Sequence, residues 1–206
     1  MAGLRERKKA VTRVVLSWTA IRLAVERGFD NVLVDEIAEA AGVSARTFNN
    51  YFSSKAEAIA SRHLDRSLRL VDVFRARPAD EPLWTAIRAA AMSQFVPGTE
   101  VEQSPQSGQV DWVSGFKMML VEPALQGEML RAVAVAEAEL AAAVAERTGT
   151  DVKQDLYPSL FAATVSAAVN TAIRHFVYAD PPVPMEELLP DALSRLAAGL
   201  PVPATR

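Results

Sequence analysis

The sequence contains no cysteine. That excludes disulfides, thiolate metal sites and cysteine nucleophiles, and it fits a reducing cytoplasm. Histidine is nearly absent as well: only His63 and His175 occur in 206 residues. No Ser/His/Asp constellation, phosphate-cradling glycine loop, His-Glu-x-x-His or paired-carboxylate motif accompanies them. The expectation is a protein that is not an enzyme and has no catalytic residues, cofactor or metal. There is no run of eighteen apolar residues. Arg5 to Lys9 is followed by an amphipathic segment rather than by an apolar stretch and a cleavage site. A cytoplasmic protein with no membrane partner is expected. What is present is ordinary for a globular chain, 50% hydrophobic and 23% charged, with ample length for buried cores.

The formal net charge of −3 conceals an asymmetry. Met1 to Arg77 holds 14 Lys+Arg against 9 Asp+Glu, whereas Pro78 to Arg206 holds 8 against 16. An acidic protein that meets a polyanion must do so through its basic end. Taken alone, Arg5, Arg7, Lys8 and Lys9 read as a solvated terminus. Beside a nucleic-acid-binding motif they read as a helix start that tracks phosphates.

Such a motif lies at Asp35 to Lys55, D-E-I-A-E-A-A-G-V-S-A-R-T-F-N-N-Y-F-S-S-K. Ile37, Ala38 and Ala41 recur at helical spacing, with Asp35, Glu36 and Glu39 on the opposite side. Gly42 ends this helix, because glycine enters the left-handed conformation without steric cost. Val43 plugs the turn into the core, and Ser44 is placed to cap the next helix. The second helix, Ala45 to Tyr51, buries Phe48 and leaves Arg46, Thr47, Asn49, Asn50 and Tyr51 outward, with Phe52 buried behind it. Two short helices around a glycine-containing turn make a helix-turn-helix, whose second helix suits the major groove of B-DNA. Purely structural helix pairs share this turn. The outward donors, suited to phosphates and base edges, favour the DNA reading.

Elsewhere the spacing predicts an all-α chain. A first helix runs from Arg5 to Arg27 and stops at Gly28, with Val14, Trp18, Ile21 and Val25 inward. Lys55 opens a helix to Arg77, on which Arg62, Arg66 and Arg69 give a basic exposed edge and His63 is an interdomain or surface residue. Pro82 starts a helix through Trp84, Ile87 and Phe95. Pro97 to Gly108 has no apolar pattern and reads as a mobile loop. Trp112, Val113, Phe116, Met119 and Leu120 form the next stripe, followed by a helix from Ala124 to Arg147. Trp84, Phe95, Trp112, Phe116, Met119, Met129 and Phe161 are candidates to line a cavity between helices, although such stripes also make dry cores. The helix from Tyr157 to Tyr178, which carries Leu160, Phe161, Val165, Ala168, Val169, Ala172, Ile173 and Phe176, is apolar or small nearly all round. With Leu188, Leu189, Leu193 and Leu196 of the helix Met185 to Ala198 it predicts a homodimer seam, a four-helix bundle made with a second copy.

The stretch G-F-D-N-V-L-V-D-E-I-A-E-A-A-G-V-S-A-R-T-F-N-N-Y-F-S-S-K resembles the DNA-binding domain of the TetR family of bacterial transcriptional regulators. The family pattern is met at Val43, Ser44, Thr47, Phe48, Tyr51, Phe52, Ser54 and Lys55, and the likeness extends from Arg5 to Ile59. It implies a three-helix DNA-binding domain over residues 1–54 and a larger ligand-binding and dimerisation domain over 55–206. It implies phosphate contacts from Thr47, Tyr51 and Lys55, beside Ser44 and Ala45 at the helix start. Base readout then falls to Arg46, Asn49 and Asn50. The implied partners are a double-stranded inverted-repeat operator, a second copy of the chain and a small-molecule effector. The pattern L-V-E-P-A-L through L-A-A-A-V-A-E-R-T-G is similar to TetR-type regulators with an acyl-CoA-like ligand domain, which implies an elongated apolar effector and repression relieved by it. Asn49 stands where the family carries an aromatic, and Leu33 where it often carries a threonine. An alternative is therefore a helical ligand-binding or interaction module whose DNA binding has weakened.

Overall fold

Glycines, prolines and capping serines divide the chain into helices whose inner faces repeat every three or four residues. The computed structural model describes residues 3–95 and 112–201, and every regular element among them is helical. These are α1 (Leu4–Arg27), α2 (Val34–Ala40), α3 (Ala45–Asn49), α4 (Lys55–Ala76) and α5 (Leu83–Met92) with a 3-10 turn at Ser93–Phe95. They continue with α6 (Trp112–Val121), α7 (Pro123–Thr148), α8 (Leu156–Tyr178) and α9 (Met185–Ala197). The loop expected at Pro97 to Gly108 lies outside the described residues.

By packing, the chain forms two units, Met1–Asp65 with Pro97–Ala132, and Arg66–Val96 with Val133–Arg206. The first contains the expected 1–54 region and adds the first half of α4, α6 and the first turns of α7. The reason is physical: Leu16, Ile21, Leu23, Ile37, Phe48, Phe52 and Ile59 are buried together with Met119 and Leu125, so the short helices do not complete their own core. Each such side chain contributes about 1.5–3 kcal/mol by leaving water.

At the end of α2, Gly42 stands at φ +71°. Its N–H donates to the Glu39 carbonyl and that of Val43 to the Ala38 carbonyl, the paired bonds of a Schellman stop. Val43 then packs on the first unit's core. The α1 and α4 helices are joined by a polar seam. Arg13 donates to both Asp65 oxygens at 3.0 and 2.8 Å, the Ser17 and Ser61 hydroxyls meet at 2.9 Å, and Arg62 also pairs with Asp65. Arg62 is therefore only 6% exposed, and His63 is buried, which corrects the expected open basic edge. A guanidinium four residues from its neighbouring arginine can be drawn inward by a carboxylate one turn away.

In the second unit α9 packs against α8 and α5. Its core includes Ile87, Leu140, Val144, Phe161, Val165, Val169, Leu189 and Leu193. The turn from α4 to α5 is held by Arg147, which donates to the carbonyls of Arg77, Pro78 and Glu81 and lies 5.3 Å from the Phe74 ring centroid. By length and composition alone α8 could cross a membrane. One face of it, however, is packed: Phe161, Ala162, Val165, Ala168, Val169, Ala172 and Ile173 are buried in this unit. Leu160 is 56% exposed.

Two glycines of the first unit separate backbone strain from helix propensity. A Cβ at Gly42 or at Gly127, inside α7, meets no atom within 4 Å. Gly42→Ala is expected to cost about 1–2 kcal/mol, because its left-handed φ crowds an L side chain. Gly127→Ala is expected to stabilise by about 0.5–1 kcal/mol through helix propensity. Urea unfolding of both variants should move the midpoint in opposite directions, and a shift of the same sign would refute the assignment.

Candidate nucleic-acid interface

The α3 helix exists because its ends and its inner face are satisfied locally. Ser44 is extended, at φ −83° and ψ 156°, and its Oγ accepts the Thr47 N–H at 3.1 Å. The two hydroxyls, Ser44 Oγ and Thr47 Oγ1, are also hydrogen-bonded at 2.9 Å. Inward, Phe48 and Phe52 are buried with ring centroids 5.7 Å apart. That seating leaves Arg46, Asn49 and Asn50 exposed on the other side, with Ser44 exposed at the start. Thr47 is half-buried, while Ala45 and Tyr51 pack against the core and show only part of their surface. Arg46 and Asn49 thus lie on the outward side of α3, with Ser44 at its N-cap and Asn50 at its C-cap, two residues short of the expected end at Tyr51.

Lys55, the third residue expected at a phosphate, opens α4. Its Nζ donates to the carbonyls of Phe29 at 2.6 Å and Val32 at 2.8 Å, and lies 4.3 Å from the Phe29 ring centroid. The ammonium is turned into the α1–α2 loop. Serines cap the helix it opens: Ser54 Oγ accepts the Glu57 N–H, and Glu57 accepts from the Ser53 N–H and hydroxyl.

At the start of α2, Leu33 has no side-chain oxygen to cap the helix and is 64% exposed. Its N–H instead donates to Glu36 Oε2 at 2.8 Å, and Arg27 pairs with the other Glu36 oxygen at 3.1 Å. Arg22 pairs with Glu26, and Arg13 with Asp65. Burial holds the Arg13 guanidinium below its usual pKa, with Glu57 acting in the opposite sense. Arg13 also stacks 5.3 Å from the Phe52 ring centroid. Among the described side chains of this unit, Arg7, Lys8, Lys9, Arg46 and Lys117 make no ion pair, and all five are exposed.

The seven residues proposed to line a cavity are divided. Phe116 and Met119 are buried in the first unit, where Met119 belongs to the helix-turn-helix core and Met129 packs on it. The Trp112 side chain lies outside the described ones. Trp84, Phe95 and Phe161 belong to the second unit, where the Trp84 and Phe161 rings are 4.8 Å apart and Tyr157 lies 6.0 Å from Phe161. Sequence spacing had no means of separating the two groups, since the apolar stripes of both units repeat every three or four residues.

Known proteins resemble the chain along nearly its whole length. Residues 19–60 match the model described as bacterial regulatory proteins, tetR family, and residues 81–201 match that of the MftR C-terminal domain. The chain is 31% identical over 180 residues to the HTH-type transcriptional regulator TcmR of Streptomyces glaucescens, covering 84% of this chain and 76% of that one. It is 30% identical over 198 residues to MftR of Mycobacterium tuberculosis, named for the regulation of mycofactocin biosynthesis, covering 94% and 93%. In fold it is similar to a tetR-family transcriptional regulator from Streptomyces coelicolor, with a TM-score of 0.57, 21% identity, and coverage of 96% of this chain and 81% of that one. A regulator from Rhodococcus sp. assigned to the same family gives a TM-score of 0.60 at 19% identity, covering 93% and 100%.

Ser44→Ala removes the cap of α3 and is expected to cost about 1 kcal/mol of stability. Thermal unfolding without DNA checks it: an unchanged midpoint would mean that the Ser44 hydroxyl does not hold the helix.

Proposed function

The chain belongs to the TetR family of bacterial regulatory proteins and is a DNA-binding transcriptional regulator, and from that premise we propose that it is a repressor whose two copies read an inverted-repeat operator with α3. The observation that carries this reading is the sorting of α3, with Phe48 buried and Arg46, Asn49 and Asn50 exposed. Arginine matches guanine O6 and N7 bidentately and asparagine matches adenine N6 and N7, each worth about 1–3 kcal/mol of discrimination. Ser44 and Thr47, at the helix start, suit the adjacent phosphate. As a family member it would work in the cytoplasm, where the DNA is.

The dimer is proposed to close through α8, edged by α9. Leu156, Leu160, Ala163, Ala167, Thr171 and Tyr178 fall three, four or seven residues apart and are all exposed. Such a stripe on a helix whose opposite face is packed suits a symmetric seam with the same stripe of a second copy. Leu189 and Leu193 are used inside their own chain, so α9 offers the half-buried Leu188 and Leu196 at the margin. Twofold symmetry then sets half-site centres about 34–36 Å apart, or a distorted version of that spacing.

The effector is proposed to be a small, elongated apolar molecule of the acyl-thioester kind, taken up in the second unit beside Trp84, Phe95 and Phe161. The match to the MftR C-terminal domain covers all three residues, and their aromatic rings suit an apolar ligand. Preference for the non-DNA conformation by about 2 kcal/mol would lower operator occupancy about 30-fold. Leu33, with Glu36 on its N–H, favours a second reading, a module in which DNA binding has weakened.

Arg46→Ala is expected to lose about five- to 150-fold in affinity at operators carrying its guanine and to flatten preference at that base pair alone. Selection of bound DNA from a random library, followed by titration of the selected site, measures this. Equal loss on every sequence would move Arg46 from base to backbone. Leu160→Glu is expected to convert a dimer to a monomer in sedimentation equilibrium and to abolish the advantage of a palindrome over a half-site. A variant that remains dimeric would remove α8 from the seam.

A further inference from the structure

We propose that the Gln94 side-chain amide is the polar anchor of the effector site in the second unit, and that the effector joins a neutral carbonyl group to its apolar body. The buried polar side chains described in the first unit are those of Ser17, Thr19, Ser61, Arg62 and His63. In the second unit Gln94, 4% exposed, is the one such residue among those described. A carboxamide offers two N–H donors and an acceptor oxygen. The Gln94 amide makes no hydrogen bond among the described residues, and both its nitrogen and its oxygen keep a little accessible surface. Buried amides are nearly always paired. One that is unpaired and still within reach is a place for a ligand to supply the partner.

Position gives this ligand its shape. Trp84, Ile87, Ala91 and Gln94 fall three or four residues apart, so they form one line along α5 and the 3-10 turn that continues it. Ile87 and Ala91 are buried, and the half-buried Trp84 lies against the Phe161 ring at 4.8 Å. At helical rise Trp84 and Gln94 are about 15 Å apart along the axis. An elongated effector on this line would set its apolar body against Trp84 and Phe161 and its polar group at Gln94. Charge then sets the class of that group. No Lys, Arg or His is buried among the described residues of the second unit, so an ionised carboxylate at Gln94 would be left uncompensated. The neutral carbonyl of an amide or thioester accepts the Gln94 N–H and brings no charge inside.

The proposal rests on the effector reading, and its test separates the two. Isothermal titration of the full chain with dodecanoyl coenzyme A, dodecanamide and dodecanoate is paired with thermal unfolding. Gln94→Leu keeps a side chain of similar size and removes the amide. It should raise Tm without ligand by up to about 4 °C, since an unpaired amide is no longer buried. It should also weaken dodecanoyl coenzyme A by about two- to tenfold. A glutamine that merely holds the core would lower Tm instead. A lowered Tm, or failure of both Gln94→Leu and Gln94→Met to fold, therefore overturns the proposal. So does equal binding of dodecanoyl coenzyme A by wild type and Gln94→Leu, or tighter wild-type binding of dodecanoate than of dodecanamide. If wild type binds dodecanamide but not dodecanoyl coenzyme A, and Gln94→Leu weakens the amide, the acyl-thioester reading fails and the anchor stands. Binding of neither probe overturns both.

Discussion

Both ends of α4 are held by a cation resting on backbone carbonyls and an aromatic face. At its start Lys55 gathers the carbonyls of Phe29 and Val32 over the Phe29 ring. Beyond its end Arg147 gathers those of Arg77, Pro78 and Glu81 beside the Phe74 ring. Loop carbonyls at helix junctions have no intrahelical partner, and a charged donor satisfies several at once more strongly than a neutral one. The choice of cation follows the task. Lysine is a compact point charge that fits between two converging carbonyls, whereas the guanidinium fork of arginine spans three along a turn. Each bond fixes a loop that helix propensity alone would leave undefined, and within the first unit that loop sets α2 and hence α3.

This arrangement explains why part of the interface was legible in the amino-acid order and part was not. The stop at Gly42 and the cap at Ser44 are contacts between residues at most a few positions apart, and the inward side of Phe48 follows from helical spacing. Residue type and spacing therefore determine them. Lys55 to Phe29 spans 26 positions and Arg13 to Asp65 spans 52. No local rule reports that a motif lysine points back into a loop, or that Arg62 folds inward with Asp65 rather than standing on an open edge. Met119 and Leu125 were invisible to the helix-turn-helix reading for the same reason, since nothing in their own stripes says which core they complete. The helices themselves were the easy part, because periodicity, glycine and proline agree at nearly every boundary.

Charge teaches a related lesson. The basic excess of residues 1–77 suggested a broadly positive DNA-binding end. Within the first unit Arg13, Arg22, Arg27 and Arg62 are held by Asp65, Glu26 and Glu36, and Lys55 by loop carbonyls. Among the described side chains of residues 1–65, the exposed cations without an ion pair are Arg7, Lys8, Lys9 and Arg46. Steering by a long-range field depends on net charge, but phosphate contact depends on cations free to leave water for an anion. A count over sequence measures the first quantity and overstates the second.

The α8 helix shows how burial resolves what composition leaves ambiguous. Its length and apolar content would suit a bilayer, a core or a seam equally. The buried residues, Phe161, Val165, Ala168, Val169 and Ala172, recur every three or four positions, so one face is spent inside the unit. The exposed face alternates Leu156 and Leu160 with Ala163, Ala167 and Thr171. Small residues in the middle let two helix backbones approach closely, and leucines at one end supply apolar area. A lipid-facing helix gains nothing from the first feature, whereas a copy of the same helix uses both. Leu156 is 75% exposed and Leu160 56%, so covering the pair would contribute about 2–4 kcal/mol per copy before the cost of association. In the proposed seam that is enough to favour a dimer only if the whole stripe closes, which would make the small residues as important to it as the large ones.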